Sequence, residues 1–318
     1  MRKNFMKKVV AGMLTAVMAF SLTACGGGDA STNDTAKEEG SSDVITVGFS
    51  QVGAESDWRT ANSESMKSTF TKDNGYELIF DDAQQKQENQ ISAIRNFIQQ
   101  DVDYIVLAPV TETGWDAVLG EAKQAGIPVI IVDRMVDVSD DSLYTAWVGS
   151  NFKLEGQKAM AWLDAYLEAK GRGDEEINLV DIQGTIGASA QIGRTEGFDE
   201  AVEAHDNWTT LAQQSGEFTQ AKGQEVMESI LKQSGDDIDV VYCENDNEAF
   251  GAIDAIKAAG YEVGADKDMM VFSFDSTKEG LKKVQSGEIT LNTECNPLHG
   301  PRVEAIIKQL ENKETPEK

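Results

Sequence analysis

Several side chains that could bind a ligand lie together near the start of the folded chain. The segment "GFSQVGAESDWR", residues 48–59, carries Glu55, Asp57, Trp58 and Arg59 directly after the apolar run "VITVGF". Carboxylates and guanidinium groups form charge-assisted hydrogen bonds, and an aromatic ring buries an apolar face. The segment could therefore line a ligand site. The alternative is that Trp58 is simply the first core residue of the following helix.

Similar residue types follow most of the other apolar runs. The corresponding segments are "DDAQQKQ", "APVTETGW", "DRMVD", "QGTIGAS", "SGEFTQ", "ENDNE", "FDST" and "TECNP". Small polar residues commonly cap helices after a strand, which is our interpretation of Ser189, Asp246 and Thr277. Aromatic and arginine side chains are harder to explain as caps. The residues of this kind are Trp58, Arg134, Arg194, Phe218 and Phe274.

Enzymatic and metal-binding motifs are absent from the sequence. The chain has two histidines, His205 and His299, and "GASAQ" lacks the final glycine of a nucleophile elbow. It contains no H-E-x-x-H, C-x-x-C, EF-hand or Walker sequence, and two neighbouring carboxylates carry little weight among 55 acidic residues. We therefore predict a protein that is not an enzyme and that has no cofactor and no metal site.

The elements that must position these residues alternate between strands and helices. Gly75, Gly126 and Gly260 close helical patterns as C-terminal caps do. Apolar strands that alternate with amphipathic helices predict parallel α/β sheets, whose ligands bind at the carboxyl ends of the strands. Ten strands are too many for one domain with a single core, so we predict two similar Rossmann-like lobes. The strand candidates are "VITVGFS", "YELIFDD", "YIVLAP", "PVIIVD", "YTAWVGS", "INLVDIQG", "WTTLAQQS", "VVYCEND", "MMVFSFD" and "ITLNTE".

The N-terminus has the organisation of an export signal. Basic residues, an apolar run and small residues precede Cys25, and no later segment approaches the roughly 20 apolar residues of a spanning helix. The sequence "LTAC" resembles a bacterial lipobox, in which the cysteine carries lipid, and a polar tether follows it; an ordinary signal with an incidental cysteine is the alternative. We predict a signal peptide at 1–24, a lipidated cysteine and tether at 25–43, and an extracytoplasmic protein anchored to the membrane.

The charge and the remaining thiols limit the partners. The net charge is −27, and it is near −31 after residue 24 because residues 1–24 hold four basic and no acidic side chains. Such a charge repels phosphate backbones, so nucleic acid is excluded as a partner. Cys243 and Cys295 lie in different predicted strands, and two separate buried thiols are favoured over a disulfide.

Long motifs resemble the type I periplasmic binding proteins that deliver sugars to ABC importers. They are "GFSQVGAESDWR", "QQKQENQISAIRNFI", "APVTETGWDAVLGEAKQAGIPVIIVDR", "QGTIGASAQIGRTEGF", "SGEFTQAKGQEVMES", and "END" followed by "GAIDAIKAAG". The resemblance covers residues 44 to about 312 and is greatest to galactofuranose-binding members, then to ribose-binding members. It implies two parallel-sheet lobes joined by hinge crossovers, at 44–150 plus 296–318 and at 151–295, that close on a monosaccharide. It also implies a further strand after Lys318.

The resemblance also implies roles for individual residues. Trp58 and Phe218 would stack on the two faces of the sugar, one from each lobe. Arg59 and Glu294 match the galactofuranose-binding pattern. The residues implied to bind the hydroxyl groups are Asp133, Arg134, Arg194, Asn245 and Asp275.

The resemblance further implies a monomer that delivers its sugar to the permease of an ABC importer. Two alternatives remain at this point. The first is a lipoprotein that senses sugar and presents it to a membrane receptor, and the second is a carbohydrate-processing enzyme of the cell surface.

Overall fold

The structure, a computed structural model, describes residues 44–317. The predicted signal peptide and Cys25 therefore lie outside the described residues. The strands in the described part are β1 (Ile45–Gln51), β2 (Tyr76–Asp82), β3 (Tyr104–Leu107), β4 (Val129–Val132), β5 (Ala146–Val148), β6 (Ile177–Gln183), β7 (Trp208–Ser215), β8 (Val240–Cys243), β9 (Met270–Asp275) and β10 (Leu291–Glu294). The α-helices are α1 (Asp57–Thr69), α2 (Gln87–Gln99), α3 (Asp116–Ala125), α4 (Phe152–Lys170), α5 (Ser189–Glu203), α6 (Gln220–Ser234), α7 (Asp246–Ala258), α8 (Lys278–Ser286) and α9 (Gly300–Glu311).

The strands form two parallel sheets of five strands each. The first has the order β2-β1-β3-β4-β5, and the second has the order β10-β9-β8-β6-β7. Starting from the opposite edge, the second order becomes β7-β6-β8-β9-β10, which is the same topology as the first. This arrangement confirms the predicted fold class of two α/β lobes. We call the layers built on these sheets the first lobe and the second lobe.

Alternating apolar side chains bury both faces of each sheet. In the first lobe, Val106 and Ile130 pack on one side with the core of α1 and α9, whereas Ile105 and Ile131 pack on the other with α2 and α3. Successive side chains of a strand point to opposite faces, so a continuous apolar run is buried on both. The strands "YIVL" and "VIIV" are fully buried for this reason.

The chain passes between the lobes twice within the described residues. Helix α4 follows β5 but packs closely on α5 of the second lobe, and α9 follows β10 but packs on α1 of the first. The second contact is close because Gly300 lies against the backbone of Ser65: a Cβ atom at Gly300 would lie 2.3 Å from its carbonyl oxygen. The exact boundaries at 150 and 296 stay a prediction.

The helix caps differ in part from the sequence interpretation. Thr277 caps α8 as predicted, with its hydroxyl accepting the Gly280 N–H at 3.1 Å. Asp246 and Ser189 are instead the first residues of α7 and α5, because the chain turns helical one residue earlier than predicted. Their side chains are used elsewhere: the Ser189 hydroxyl accepts the N–H of Met135, a residue of the first lobe, at 2.7 Å.

The two cysteines of the described part are free and buried, as predicted. Cys243 lies in the core of the second lobe, whereas Cys295 packs beside Trp58 between the lobes. None of the helices between residues 44 and 317 is long and apolar enough to cross a bilayer.

Candidate ligand-binding site

A cavity lies between the two lobes, where the carboxyl ends of the strands of both sheets meet. Both lobes contribute charged and aromatic side chains to its wall. The lining residues are Glu55, Ser56, Trp58, Arg59, Asp133, Arg134, Phe152, Ala190, Arg194, Phe218, Asn245, Asp275 and Cys295.

Two arginines and two carboxylates form a buried ionic cluster in the first lobe. Arg59 donates from Nε to Glu55 Oε1 at 2.9 Å and from Nη2 to Asp133 Oδ2 at 2.6 Å. Arg134 lies 3.6 Å from the same Glu55 oxygen and donates to the carbonyl of Val110 at 3.0 Å. These four charged side chains are each no more than 5% exposed. Such a cluster holds its members in fixed orientations before any ligand arrives.

The pKa values follow from this packing. Burial alone would lower the pKa of Arg59, but the nearby Asp133 and Glu55 outweigh burial and raise it. Burial likewise opposes ionisation of Asp133, yet Arg59 and Arg134 keep its pKa below the usual value. Burial and the neighbouring Arg59 lower the pKa of Arg134 to about 10. All three groups are therefore charged at neutral pH.

A second ionic cluster surrounds Arg194 in the second lobe. Its guanidinium donates from Nε and Nη2 to Glu155 Oε2 at 3.1 and 2.9 Å, and Nη2 also lies 3.4 Å from Asp275 Oδ1. Its Nη1 donates to the backbone carbonyl of Glu244. The guanidinium also lies over the ring of Phe274, at 4.7 Å from the centroid. Phe274 is itself a fully buried core residue, so its ring supports Arg194 from the core and does not line the cavity.

The charge state of Asp275 differs from that of the other carboxylates. Burial raises its pKa to about 8, against the opposing effect of Arg194 and with the help of Asp246 and Glu155. At neutral pH it is therefore mainly protonated. A neutral carboxyl group both donates and accepts a hydrogen bond, which suits a hydroxyl-bearing ligand.

One aromatic ring from each lobe lines the cavity. Trp58 is the second residue of α1, is 4% exposed, and donates its indole N–H to the Cys295 carbonyl at 2.7 Å. Phe218 is also 4% exposed, and the guanidinium of Arg134 lies 4.9 Å from its ring centroid. Trp58 thus packs as an early helix residue and lines the cavity as well.

Three lining residues have left-handed backbone conformations. The φ angles are 62° for Asp133, 60° for Phe218 and 95° for Asp275. Residues other than glycine rarely adopt such angles, and strained residues of this kind concentrate at functional sites. Asp246 holds the loop after Asp275, because its carboxylate accepts hydrogen bonds from Ser273, from Thr277 and from Asn292.

Three buried polar atoms of the lining side chains have no hydrogen-bond partner among the described residues. They are Glu55 Oε2, Arg59 Nη1 and Arg134 Nε. An unpaired buried polar atom costs roughly 1–3 kcal/mol, so such atoms usually have a functional reason. Together they offer one acceptor and two donors to a ligand.

The structure brings eight of the nine predicted ligand-binding residues to the cavity. They are Trp58, Arg59, Asp133, Arg134, Arg194, Phe218, Asn245 and Asp275. Glu294 is not among them: its side chain is exposed at the end of β10. Since successive side chains along an extended chain alternate in direction, Cys295 faces the cavity instead and Glu294 points away.

Asn245 has a structural role in addition to the ligand-binding role that the sequence suggested, which stays a prediction. Its side-chain oxygen accepts the Glu248 N–H at 2.8 Å, which caps α7, and its amide donates to the Phe218 carbonyl at 3.0 Å. Both ends of this side chain therefore bind the protein backbone. It lines the cavity and also fixes its neighbours.

The sequence interpretation did not identify several lining residues as ligand-binding residues. Glu55 precedes the N-cap residue of α1, so no helical spacing in the sequence indicates its contact with Arg59. Phe152 follows β5, and its ring lies 5.3 Å from the Arg194 guanidinium. Nothing in the sequence distinguishes Ser56, Ala190 or Cys295 from ordinary loop and core residues. Between residues 44 and 317, no group of three His, Cys, Asp or Glu side chains is arranged to hold a metal ion.

The fold and the interlobe cavity define a class of binding protein. A sequence profile described as "Periplasmic binding protein domain" matches residues 47–294. The chain belongs to this family, which confirms the resemblance drawn from its motifs.

Three relatives show where the chain lies within the family. The galactofuranose-binding protein YtfQ of Escherichia coli (strain K12) is 44% identical over 277 residues, which cover 86% of this chain and 85% of that protein. A Mycobacterium smegmatis protein in complex with β-D-fucofuranose superposes with a TM-score of 0.81 at 43% identity, covering 86% of this chain and 87% of that one. The binding component of the arabinose ABC transporter from Shewanella sp. ANA-3, bound to α- and β-L-arabinofuranose, gives a TM-score of 0.77 at 45% identity over 84% and 86% of the two chains. The family and the first and third of these relatives are described as binding proteins, which confirms the prediction that the chain is not an enzyme.

Proposed function

We propose that this protein is an extracytoplasmic solute-binding protein that captures one monosaccharide in the interlobe cavity and delivers it to an ABC importer. The observation that carries the proposal is the combination of Glu55 Oε2, Arg59 Nη1 and Arg134 Nε without partners in a cavity lined by Trp58 and Phe218. A sugar has two apolar C–H faces and a rim of hydroxyl groups. The rings bury the faces, and the charged groups bind the rim.

The ligand class proposed is a furanose. The relatives above bind galactofuranose, fucofuranose and arabinofuranose according to their descriptions, and all three are at least 43% identical to this chain.

Calorimetric titration tests this proposal. The chain from residue 26 onwards should be titrated with D-galactose, D-fucose and L-arabinose, with D-ribose and D-glucose as comparison sugars. Saturable binding of at least one of the first three, more tightly than glucose, is the expected result. Absence of binding to every pentose and hexose would overturn the proposal.

We also propose that Cys25 carries a lipid that holds the protein on the outer face of the cytoplasmic membrane. The lipobox-like "LTAC" and the polar tether after it support this step. Cys25→Ser is expected to release the protein into the medium or to leave it unprocessed, as judged by fractionation and intact mass. A processed Cys25→Ser protein that stays fully in the membrane fraction would contradict lipid anchoring.

Delivery to a permease follows from the same proposal. A ligand-loaded protein on a flexible tether stays near the membrane and can meet its transporter repeatedly. Uptake of the radiolabelled sugar by cells that lack this protein should fall, and expression of the wild-type protein should restore it.

A further inference from the structure

The backbone of Phe218 is held at both ends by side chains of the α7 N-terminus. Its N–H donates to Glu248 Oε1 at 2.8 Å, and its carbonyl accepts from Asn245 Nδ2 at 3.0 Å. A bulky residue at φ 60° is unfavourable without such support. These two contacts therefore account for the conformation that presents the ring to the cavity.

Glu248 lies behind the cavity wall. It is fully buried and does not line the cavity, and its second oxygen has no partner among the described residues. Two glycines make room for it. A Cβ atom at Gly216 would lie 2.7 Å from Glu248 Oε1, and one at Gly223 would lie 2.8 Å from its Cα.

The surroundings of Glu248 contain other acids and one arginine. Burial, then Glu244 and Asp181, raise the pKa of Glu248 well above its usual value, whereas the Phe218 N–H and Arg194 oppose the rise. Burial therefore favours the neutral carboxyl form of this side chain. Its contribution to Phe218 is a hydrogen-bond acceptor, which a glutamine amide also supplies.

We propose that Glu248 is a positioning residue that fixes the Phe218 ring in the cavity wall and thereby sets the affinity for sugar. This inference rests on the proposed function. Loss of the acceptor leaves the buried Phe218 N–H unpaired, so the local backbone relaxes and the ring loses its position.

Two substitutions at Glu248 separate the acceptor from the volume of the side chain. Glu248→Gln keeps the acceptor, whereas Glu248→Met keeps the length without a carbonyl oxygen. With the tightest binder among D-galactose, D-fucose and L-arabinose, the Met variant is expected to raise Kd by about tenfold to a hundredfold. The Gln variant is expected to raise Kd less than about threefold. Equal losses in both variants would overturn the proposal.

Asp181→Asn is the matched control. Asp181 is a fully buried acid of the same cluster and makes no hydrogen bond to Phe218. Its replacement removes an acid from the cluster and leaves the Glu248 contact in place. A rise in Kd as large as that of Glu248→Met would show that the cluster acts as a whole, and the specific role of Glu248 would be rejected.

A double-mutant cycle tests whether Glu248 acts through Phe218. In a Phe218→Ala background no ring remains to be positioned, so Glu248→Met should change Kd by less than about threefold. An undiminished effect in that background would contradict the proposal, because it would assign Glu248 a general structural role.

A ligand-free measurement keeps this inference distinct from the proposed function. In wild-type protein, amide hydrogen exchange at Phe218 should be strongly protected, and the Gln variant should retain that protection. Failure of every sugar to bind would reject the proposed function but leave this result interpretable. Rapid exchange at Phe218 in the wild-type protein would reject the positioning role, including in the case that the Met variant fails to fold.

Discussion

At the scale of single residues, the charges of the site are balanced within each lobe. Arg59 and Arg134 contact Glu55 and Asp133 in the first lobe, and the Arg194 cluster lies entirely in the second. Each lobe therefore has its own compensated set of charges. Because burying an uncompensated charge is costly, every member of a set matters to its partners as well as to a ligand.

Removal of one ionisable member of the two clusters should weaken sugar binding strongly. Asp133→Ala, Arg134→Ala and Asp275→Ala each leave a buried partner unsatisfied, which costs about 2–5 kcal/mol, or roughly 30-fold to several-thousand-fold in Kd. Calorimetric titration of the folded variants measures this loss. Asp237→Ala is the control, because Asp237 lies exposed in the turn after α6. If the three variants bind as tightly as this control, the site is elsewhere.

The raised pKa of Asp275 predicts a pH-dependent stability. The folded protein holds this proton up to about pH 8, whereas the unfolded chain releases it near its ordinary value of 3.8. Between these two pH values the folded state binds more protons than the unfolded state. The contribution of Asp275 to the free energy of unfolding is therefore fully present below about pH 4 and is lost as the pH rises to about 8. One proton contributes at most about 1.4 kcal/mol per pH unit.

Asp275→Asn should therefore reduce the loss of folding stability that occurs as the pH rises from about 4 to about 8. Urea unfolding of wild type and variant between pH 4 and 8 measures the slope of the free energy of unfolding. Asp237→Asn should keep the wild-type slope. Parallel curves for wild type and Asp275→Asn would show that the Asp275 carboxyl is ionised in the folded protein throughout this range.

At the scale of elements, the sequence predicted the sheets well. All ten strand candidates coincide with strands of the structure, because a buried parallel strand is a short continuous apolar run that ends at polar turn residues. Gly126 caps α3 with a φ of 73°, as predicted. Gly75 instead ends a short 3₁₀ turn, and Gly260 lies one residue beyond the cap of α7.

The cavity lining was predictable in part, and two different causes account for the differences. Charged and aromatic residues at strand ends are conspicuous in a sequence, and these were found. Glu155 and Glu248 lie inside helices, where an acidic residue usually faces solvent. Only the packing of α4 and α7 shows that they contact Arg194 and Phe218. Glu294 lies outside the cavity because neighbouring side chains of an extended chain point in opposite directions, and its role stays a prediction.

A glycine at the end of β6 should be essential for the aromatic wall. A Cβ atom at Gly184 would lie 1.9 Å from the Phe218 ring, so Gly184→Ala must displace the ring. We expect Kd to rise by about tenfold or more, as for overpacking of a filled site. Gly120→Ala is the matched control, since no atom lies within 4 Å of its Cβ position in the interior of α3.

The control variant Gly120→Ala should itself have a measurable effect, on stability. Alanine in a helix interior is favoured over glycine by about 0.5–1 kcal/mol, so Gly120→Ala should stabilise the protein and leave Kd unchanged. Urea unfolding and calorimetry measure the two effects. Unchanged sugar binding by Gly184→Ala would show that the ring position is not required.

At the scale of the whole molecule, the distribution of charges permits the lobes to separate. Each ion pair that lines the cavity joins two residues of the same lobe, so separation of the lobes would leave every pair intact. The lobes instead meet through a few neutral hydrogen bonds. The Asp57 N–H donates to Asn247 Oδ1 at 3.0 Å, and the Glu112 N–H donates to the Gly187 carbonyl at 2.9 Å. Such contacts favour closure only weakly. A ligand that touches both lobes supplies the rest of the free energy that favours the closed state.

Sugar should therefore close the molecule, and the interlobe hydrogen bonds should tune the affinity. Saturating sugar is expected to reduce the radius of gyration measured by small-angle scattering. Asn247→Ala removes one interlobe bond without touching a lining residue, so the ligand-free protein should be more open. Because the apparent Kd is the intrinsic Kd divided by the closed fraction, binding should weaken by about two- to tenfold.

Asp237→Ala serves again as the control, since it removes a surface charge away from the interface between the lobes. The two measurements must agree, because one equilibrium governs both the scattering curve and Kd. A scattering curve that is identical with and without sugar, in a protein that calorimetry shows to be saturated, would mean that the ligand enters without lobe movement. Closure by population shift would then be wrong for this chain, and the interlobe bonds would have only a static role.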